Sequence, residues 1–406
     1  MDSVITGAAR DLAGGNPLGA LNLIALRDDP PALALRGIAM AQLGDLDRAK
    51  LLLKRAVRAF GPKEALARAR CVVAEAEIAL VSRELDGSVK SLEAARVTLE
   101  RHGDRANAAH ARHLAIRRFI LIGRIDDAEK LLAGFDPAPL PPALRAAHEL
   151  AVAGIALRRL HTGPARAALA RARQAAQQAG IASLTAEVAG AAAMLTTPAA
   201  RMIARGTEKP LLLDDVEALL GSKTLVIDAC RHAISHAGRS IALDTRPVLF
   251  ALARLLAEAF PGGASREALL ARAFRARHAD ESHRARLRVE IGRLRKTLLG
   301  FTAIEATPDG FALKPPRGRD VAVLAPPSDE AHATVLALLA DGEAWSSSAL
   351  ALALGASQRT MQRALDDLAA AGKVQPVGHG RARRWMAPPL PGFPTSLLLT
   401  AALSGS

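Results

Sequence analysis

Residues 284–300 read RARLRVEIGRLRKTLLG, five arginines and one lysine set around a regular apolar beat. A guanidinium can fork onto a phosphate or onto the major-groove edge of a guanine, and an ammonium meets a phosphate as a point charge. The chemistry offered by this spacing is recognition of a polyanion. A second basic stretch, 371–386, holds Lys373, Arg381, Arg383 and Arg384 and no acidic residue. Nothing comparable points to bond-making. His102, His110, His113, His148 and His161 fall on separate expected helices, with no carboxylate at liganding spacing, and read as surface or hydrogen-bonded histidines. No catalytic residue, metal site or cofactor is expected, and the chain is not read as an enzyme.

Composition sets the frame for these residues. A chain of 406 residues allows two to four domains. It is 50% hydrophobic but 3% aromatic, with no tyrosine, which favours closely packed helices over a β-rich fold. Cys71 and Cys230 are too few for a disulfide framework, and a reduced cytoplasm fits them. The start MDSVITGAARDLAGG lacks the order of a signal peptide, and no apolar run reaches the roughly 18 residues that a membrane helix needs, so no membrane partner is expected. The net charge of +14 points toward a polyanion. It divides evenly, +7 in residues 1–200 and +7 beyond, so only local clusters locate a site.

Residues 31–62, PALALRGIAMAQLGDLDRAKLLLKRAVRAFGP, predict a helix, a turn at Gly44-Asp45 and a second helix. Small residues stand where the two helices approach: Gly37, Ala49 and Ala56, with Pro62 beyond. This spacing resembles the tetratricopeptide repeat. It recurs loosely as Ser88/Ala95, Ala128/Phe135 and Ala165/Ala172. The expectation is a tetratricopeptide-like array of about four hairpins over 15–200, with an irregular helical bundle as the alternative. Stacked repeats of this kind present a surface for a protein or peptide partner, or for a second copy of the chain as a homodimer. Pro, Gly and charge break the period over 201–223, which reads as a linker; GSKT within it resembles the end of a phosphate loop but lacks the upstream glycine.

From Thr224 the period changes. TLVIDACRHAISHAGRSIAL gives short strands around a turn at His236-Ala237-Gly238, and Asp228 reads as a strand-end residue. A helix follows from Thr245-Arg246-Pro247, with Thr245 as its cap. Ser265 caps a second helix, and a third carries Leu287, Ile291, Leu294 and Leu298 as one inward stripe. FTAIEATPDGFALKP closes the region as two strands around Pro308-Asp309-Gly310. That stripe turns Arg286, Val289, Glu290, Arg293 and Lys296 outward, with Arg284, Arg288 and Arg295 on the flanks. A helix about 10–12 Å across fits a major groove about 12 Å wide.

The words IALDTRPVLFALARLLAE, GGASREALLARAF, LRVEIGRLRKTL and IEATPDGFAL, in that order, resemble the OmpR/PhoB-type winged helix-turn-helix of bacterial regulators over residues 224–316. The resemblance implies that the third helix enters the major groove and that Arg293 matches the family's base-contacting arginine. It also implies that Thr307 and Asp309 of the wing lie over the neighbouring minor groove. Arg288, Glu290 and Gly292 depart from the residues usual in the family, as does Phe311-Ala312 in the wing.

Beyond a Pro-rich linker, 317–327, residues 328–388 repeat the theme: three helices, then a strand, a glycine turn and a basic strand. They resemble the winged helix of MarR- or GntR-like regulators. The contact residues implied are Gln358, Arg359, Gln362 and Arg363 on the helix, and His379, Arg381, Arg383 and Arg384 on the wing, with Trp385 in the core. Residues 389–406 form a tail. The whole reads as mainly α, a helical-hairpin array followed by two winged helices. It reads as a cytoplasmic bacterial transcription regulator that binds double-stranded DNA. The alternative is a repeat-based scaffold whose winged helices contact protein.

Overall fold

Alanine occupies the contact positions of the first half of the chain: Ala32, Ala39, Ala41, Ala49 and Ala56 are fully buried, so neighbouring helices meet through methyl groups. The computed structural model describes residues 2–82, 84, 89–243, 245–274, 281–316, 318–327, 332–339, 344–354, 356–377 and 383–386. These residues are mainly helical, with small sheets. They form two compact units, Met1–Ala192 with Thr334–Ser406, and Ala193–Ala333.

The first unit opens with eleven helices: α1 (Ser3–Ala13), α2 (Pro17–Ile24), α3 (Pro30–Gln42), α4 (Leu46–Ala59), α5 (Ala65–Val81), α6 (Val89–Arg101), α7 (Arg105–Leu121), α8 (Ile125–Leu132), α9 (Pro142–Arg158), α10 (Thr162–Ala179) and α11 (Ala182–Ala193). Acidic and amide side chains start several of them. Asp2, Asn16, Asp29, Asp45 and Asp104 each accept a first-turn N–H of the helix that follows. Gly44 and Gly103 precede two of those aspartates at φ 87° and 75°, a left-handed turn that a side chain would strain. Successive helices pack as pairs, and α1, α3, α5, α7 and α9 also contact one another in turn, forming a continuous row. Each pair thereby buries the face its neighbour leaves bare.

The array begins at Ser3, ahead of the expected residue 15, and five pairs precede α11. Gly37 lies where the spacing placed it. A Cβ there would stand 2.9 Å from Leu53 Cγ and 3.2 Å from the Ala49 carbonyl oxygen. Phe135 departs from its expected helix position, because α8 stops at Leu132 ahead of a proline-rich turn. Its ring instead stands 5.3 Å from that of His113 and 5.4 Å from that of His148.

Of the histidines expected at the surface or hydrogen-bonded, His110 is hydrogen-bonded as expected, while His113 is buried without a partner. His110 Nε2 meets Glu77 Oε2 at 2.9 Å inside the unit. Both ring nitrogens of His113 lack a partner, as does Nδ1 of His148. The alanine-rich helices offer them no acceptors. Burial, then the neighbouring His110, His148, Arg117 and Arg112, push the His113 pKa down to about 3.

The second unit begins with residues expected as linker. β1 (Ala200–Ala204) and β2 (Thr207–Leu211) form a hairpin through Arg205-Gly206, both at positive φ, and α12 (Leu213–Gly221) follows. The glycine and charges that looked like a break in helical period are the turn and the exposed edge of this hairpin. β3 (Leu225–Asp228), β4 (Ala233–His236) and β5 (Arg239–Ala242) come next, β4 and β5 joined at Ala237-Gly238. Asp228 closes the β3–β4 turn by accepting the N–H groups of Cys230 and Arg231 at 2.9 and 3.0 Å. Then come α13 (Pro247–Glu258), β6 (Ala264–Ser265), α14 (Arg266–Phe274), α15 (Glu281–Thr297), β7 (Ala303–Ala306), β8 (Gly310–Lys314) and β9 (Val321–Ala325). β9 occupies the second expected linker. All five of its residues are buried, and it pairs parallel to β3 and antiparallel to β1. Its flanking prolines bound the strand and leave its interior free to pair.

The sheet order is β2-β1-β9-β3-β4-β5, with a second sheet β6-β8-β7. One core joins α13, α14 and α15 to both sheets through Leu249, Leu252, Leu256, Leu269, Leu270 and the α15 stripe. Arg246, rather than Thr245, is the N-cap residue of α13, and it gives no side-chain cap.

The last described elements belong to the first unit: α16 (Ala333–Leu339), α17 (Ser347–Ala353), α18 (Gln358–Ala370), β10 (Gln375–Val377) and β11 (Arg384–Met386). Ser346 and Ser357 cap α17 and α18. Trp345 and Trp385 exchange two backbone hydrogen bonds of 2.7 Å and are both buried. Their cluster, with Met361, Leu365 and Leu368, is continuous with Ala69, Val73, Leu99 and Leu114 of α5–α7. The expected separate domain at 328–388 therefore shares its core with the helical array. The expected tail, 389–406, lies outside the described residues.

Two outcomes follow. Gly37→Val should lower stability by about 1–3 kcal/mol, because the α3–α4 contact has no room for the added methyls. An unchanged urea midpoint would contradict that contact. For His113, the folded pKa lies below the ordinary value, so its contribution is complete above about pH 6.5 and falls away with acid. Between pH 7 and pH 5 the wild type should lose about 2 kcal/mol from this residue. His113→Leu should flatten that part of the pH–stability curve, leaving the smaller slope from His148, whose pKa burial also lowers.

Candidate nucleic-acid interface

Helix α15 is positioned by its apolar stripe. Leu287, Ile291, Leu294 and Leu298 are buried at 2% exposure or less, so the opposite face must look outward. Val289 is 54% exposed on that face. The Arg293 guanidinium is 65% exposed and donates to Glu290 at 2.7 Å. Lys296 is exposed nearby.

The other cations are more engaged than their charge suggests. Arg286 lies over the ring of Phe274, 4.8 Å from its centroid. Arg284 and Arg288 both reach Glu281, at 3.6 and 3.0 Å, and stay exposed. Two expectations need correcting. Glu290 was placed facing out, yet its side chain is only 12% exposed. It sits on the flank of the helix, turned toward α13. Arg295 was placed on a phosphate flank, yet its Nε donates to the Ile304 carbonyl at 2.9 Å and its guanidinium lies over Phe311. It ties α15 to the sheet β6-β8-β7.

The β7–β8 turn is also tied down. The Thr307 hydroxyl accepts the Gly310 N–H at 2.9 Å, so Thr307 faces the turn instead of projecting from it. Asp309 is exposed, and its carbonyl accepts the Arg266 N–H. Arg266 Nη1 donates to the Pro308 carbonyl at 2.6 Å. A Cβ on Gly310 would overlap the Ala264 carbonyl oxygen of the neighbouring strand. Arg266 was missed because a basic residue after a capping serine reads as ordinary helix surface.

In the other unit, Gln358, Arg359 and Arg363 are exposed along α18, and Gln362 donates to Asp366 at 2.9 Å. Arg383 is exposed over Trp385, 4.3 Å from its centroid. Arg384, expected on a free basic wing, is instead bound at 2.8 Å by Glu84, which also takes Lys50 at 2.8 Å. Burial raises the Glu84 pKa, but the hydrogen bonds and charges of Lys50 and Arg384 outweigh it and hold the carboxyl below its usual value. His379 and Arg381 lie outside the described residues. Among the described residues no three His, Cys, Asp or Glu side chains come together as a metal site, and no helix is long and apolar enough to cross a membrane.

No protein-family model, curated protein or solved structure matches this chain.

Gly310→Ala should destabilise the second unit by about 3 kcal/mol or more, since backbone opposes the added carbon. A melting transition at the wild-type temperature would show that the turn does not close on β6 as described.

Proposed function

We propose that the chain is a sequence-specific DNA-binding regulator of transcription, with α15 as its reading helix. The observation that carries this is the outward face of α15. Arg284, Arg288, Val289, Arg293 and Lys296 lie opposite a fully buried stripe, beside a wing whose turn Arg266 holds. The order α13, α14, α15 and then sheet β6-β8-β7 supports reading this unit as a winged helix-turn-helix, with β1, β2 and β9 as additions to it. Phosphates would be met by Arg284, Arg288 and Lys296, making affinity steep in salt. Arg293 would fork onto a guanine and Val289 would touch a thymine methyl.

The first eleven helices support a tetratricopeptide-like array, through the row α1, α3, α5, α7, α9 and the Gly37–Ala49 contact. Its role is to hold a protein or peptide partner, or a second copy of the chain. Two unpaired cysteines suit a reduced cytoplasm. A protein-contact reading is favoured for residues 333–386 by one observation. Arg384 is bound by Glu84 and their core merges with α5–α7, so this module contacts the array itself.

The test is selection of bound genomic DNA by the intact protein, then affinity for the selected site. Arg293→Ala should weaken that binding by about 1–3 kcal/mol. Arg293→Lys should keep most affinity for random duplex while losing preference for the site, because a point charge cannot form the two-pronged contact. If no duplex is shifted at any salt concentration, the scaffold reading replaces this one.

A further inference from the structure

Beside the outward face of α15 lies a cavity of about 540 Å³. Arg246, Val248, Glu290, Arg293, Lys296 and Thr297 line it. Its charge does not cancel. Glu290 is taken up by Arg293, which leaves Arg246 and Lys296 facing the same space. Among the described residues neither has an ion pair, whereas Arg284, Arg288 and Arg295 elsewhere on α15 are engaged.

The floor of the cavity adds to this. α13 starts at Pro247, and its first intrahelical bond runs from the Phe250 N–H to the Arg246 carbonyl. The Val248 and Leu249 amides stand before that bond, and Arg246 supplies no side-chain acceptor to them. The positive end of a twelve-residue helix therefore points toward the two free cations. The Thr297 hydroxyl donates to the Arg293 carbonyl at 3.0 Å, leaving its oxygen able to accept. An anion with two acceptor oxygens, one for each of Arg246 and Lys296, suits this lining, and the two non-bridging oxygens of a phosphodiester meet that need.

We propose that this cavity is a phosphate-binding site, and that it takes one backbone phosphate of a duplex lying against α15, held by Arg246 and Lys296. The proposal rests on the DNA-binding reading above. It adds a contact from α13, outside the reading helix, that would fix the angle at which α15 enters the groove. Such a contact is blind to sequence.

The experiment is a salt titration of duplex binding by the full chain, using the selected site and a random duplex, for wild type and Arg246→Ala. Each phosphate contact contributes about 0.9 to the slope of log affinity against log salt. Arg246→Ala should lower that slope by about one and weaken both duplexes by the same factor. Arg58→Ala, a charge removed from the exposed side of α4, should leave the slope unchanged. A wild-type slope in Arg246→Ala overturns the proposal. If the wild type binds no duplex, the DNA reading fails, and inorganic phosphate becomes the probe. A rise in melting temperature with phosphate that Arg246→Ala and Lys296→Ala both lose keeps the cavity as a site for free phosphate. No rise in the wild type overturns it.

Discussion

The seating of Leu287, Ile291, Leu294 and Leu298 against α13 and α14 is the constraint on which the second unit depends. Those four side chains fix the rotation of α15 about its axis, and rotation decides which arginines meet solvent. A turn of the helix by one residue, about 100°, would bury Arg288 and expose Ile291. Each buried leucine or isoleucine contributes about 1.5–3 kcal/mol, so the stripe outweighs the desolvation and ion-pair preferences of the exposed cations around it. Charge adapts to the orientation that apolar burial imposes.

With rotation fixed, the cations separate by what surrounds them. Arg295 reaches back to Ile304 and Phe311, so it joins α15 to the sheet β6-β8-β7. Arg266 does the same for the β7–β8 turn from the α14 side. These two arginines are structural, and they give the β7–β8 turn a defined position relative to α15. Arg293 is held differently, by a carboxylate that is mostly buried while the guanidinium is not. An exposed ion pair of this kind adds little stability. It narrows the rotamers of Arg293 and leaves four of its five N–H donors unused.

The helical stripe and the turns were legible in the sequence because each depends on local chemistry. Ser265, Ser346 and Ser357 cap the helices that follow them. Gly44 and Gly238 turn where expected, and Asp228 ends its strand. What escaped was non-local. β9 is a strand because β3 and β1 lie on either side of it, about 100 residues earlier in the chain. Read alone, VAVLA between prolines is only a short apolar run. β1 and β2 were hidden by a turn whose Arg-Gly pair looks like a loop. Glu290 was misplaced because an i, i+3 relation to Arg293 reads equally as a solvated pair, and only the proximity of α13 covers the carboxylate. The buried His113 gave no signal, since nothing near it in sequence shows that Phe135 and His148 close over it.

The same non-local logic governs the end of the chain. An array built from alanine contacts packs closely but offers little apolar volume at any one contact. The C-terminal segment supplies what the array lacks. Trp345 and Trp385, the two tryptophans of the whole chain, fill a core that includes Ala69, Ala95, Ala108 and Ala111. Glu84 then fastens Arg384 to the same helices that Lys50 reaches. Tryptophan opposite alanine is a large side chain seated on a flat surface, a pairing that conserves volume only when both partners are present. The face of α5–α7 and the segment from Val335 to Trp385 therefore complete each other. That face of α5–α7 is thus covered by residues more than 200 positions away in the chain.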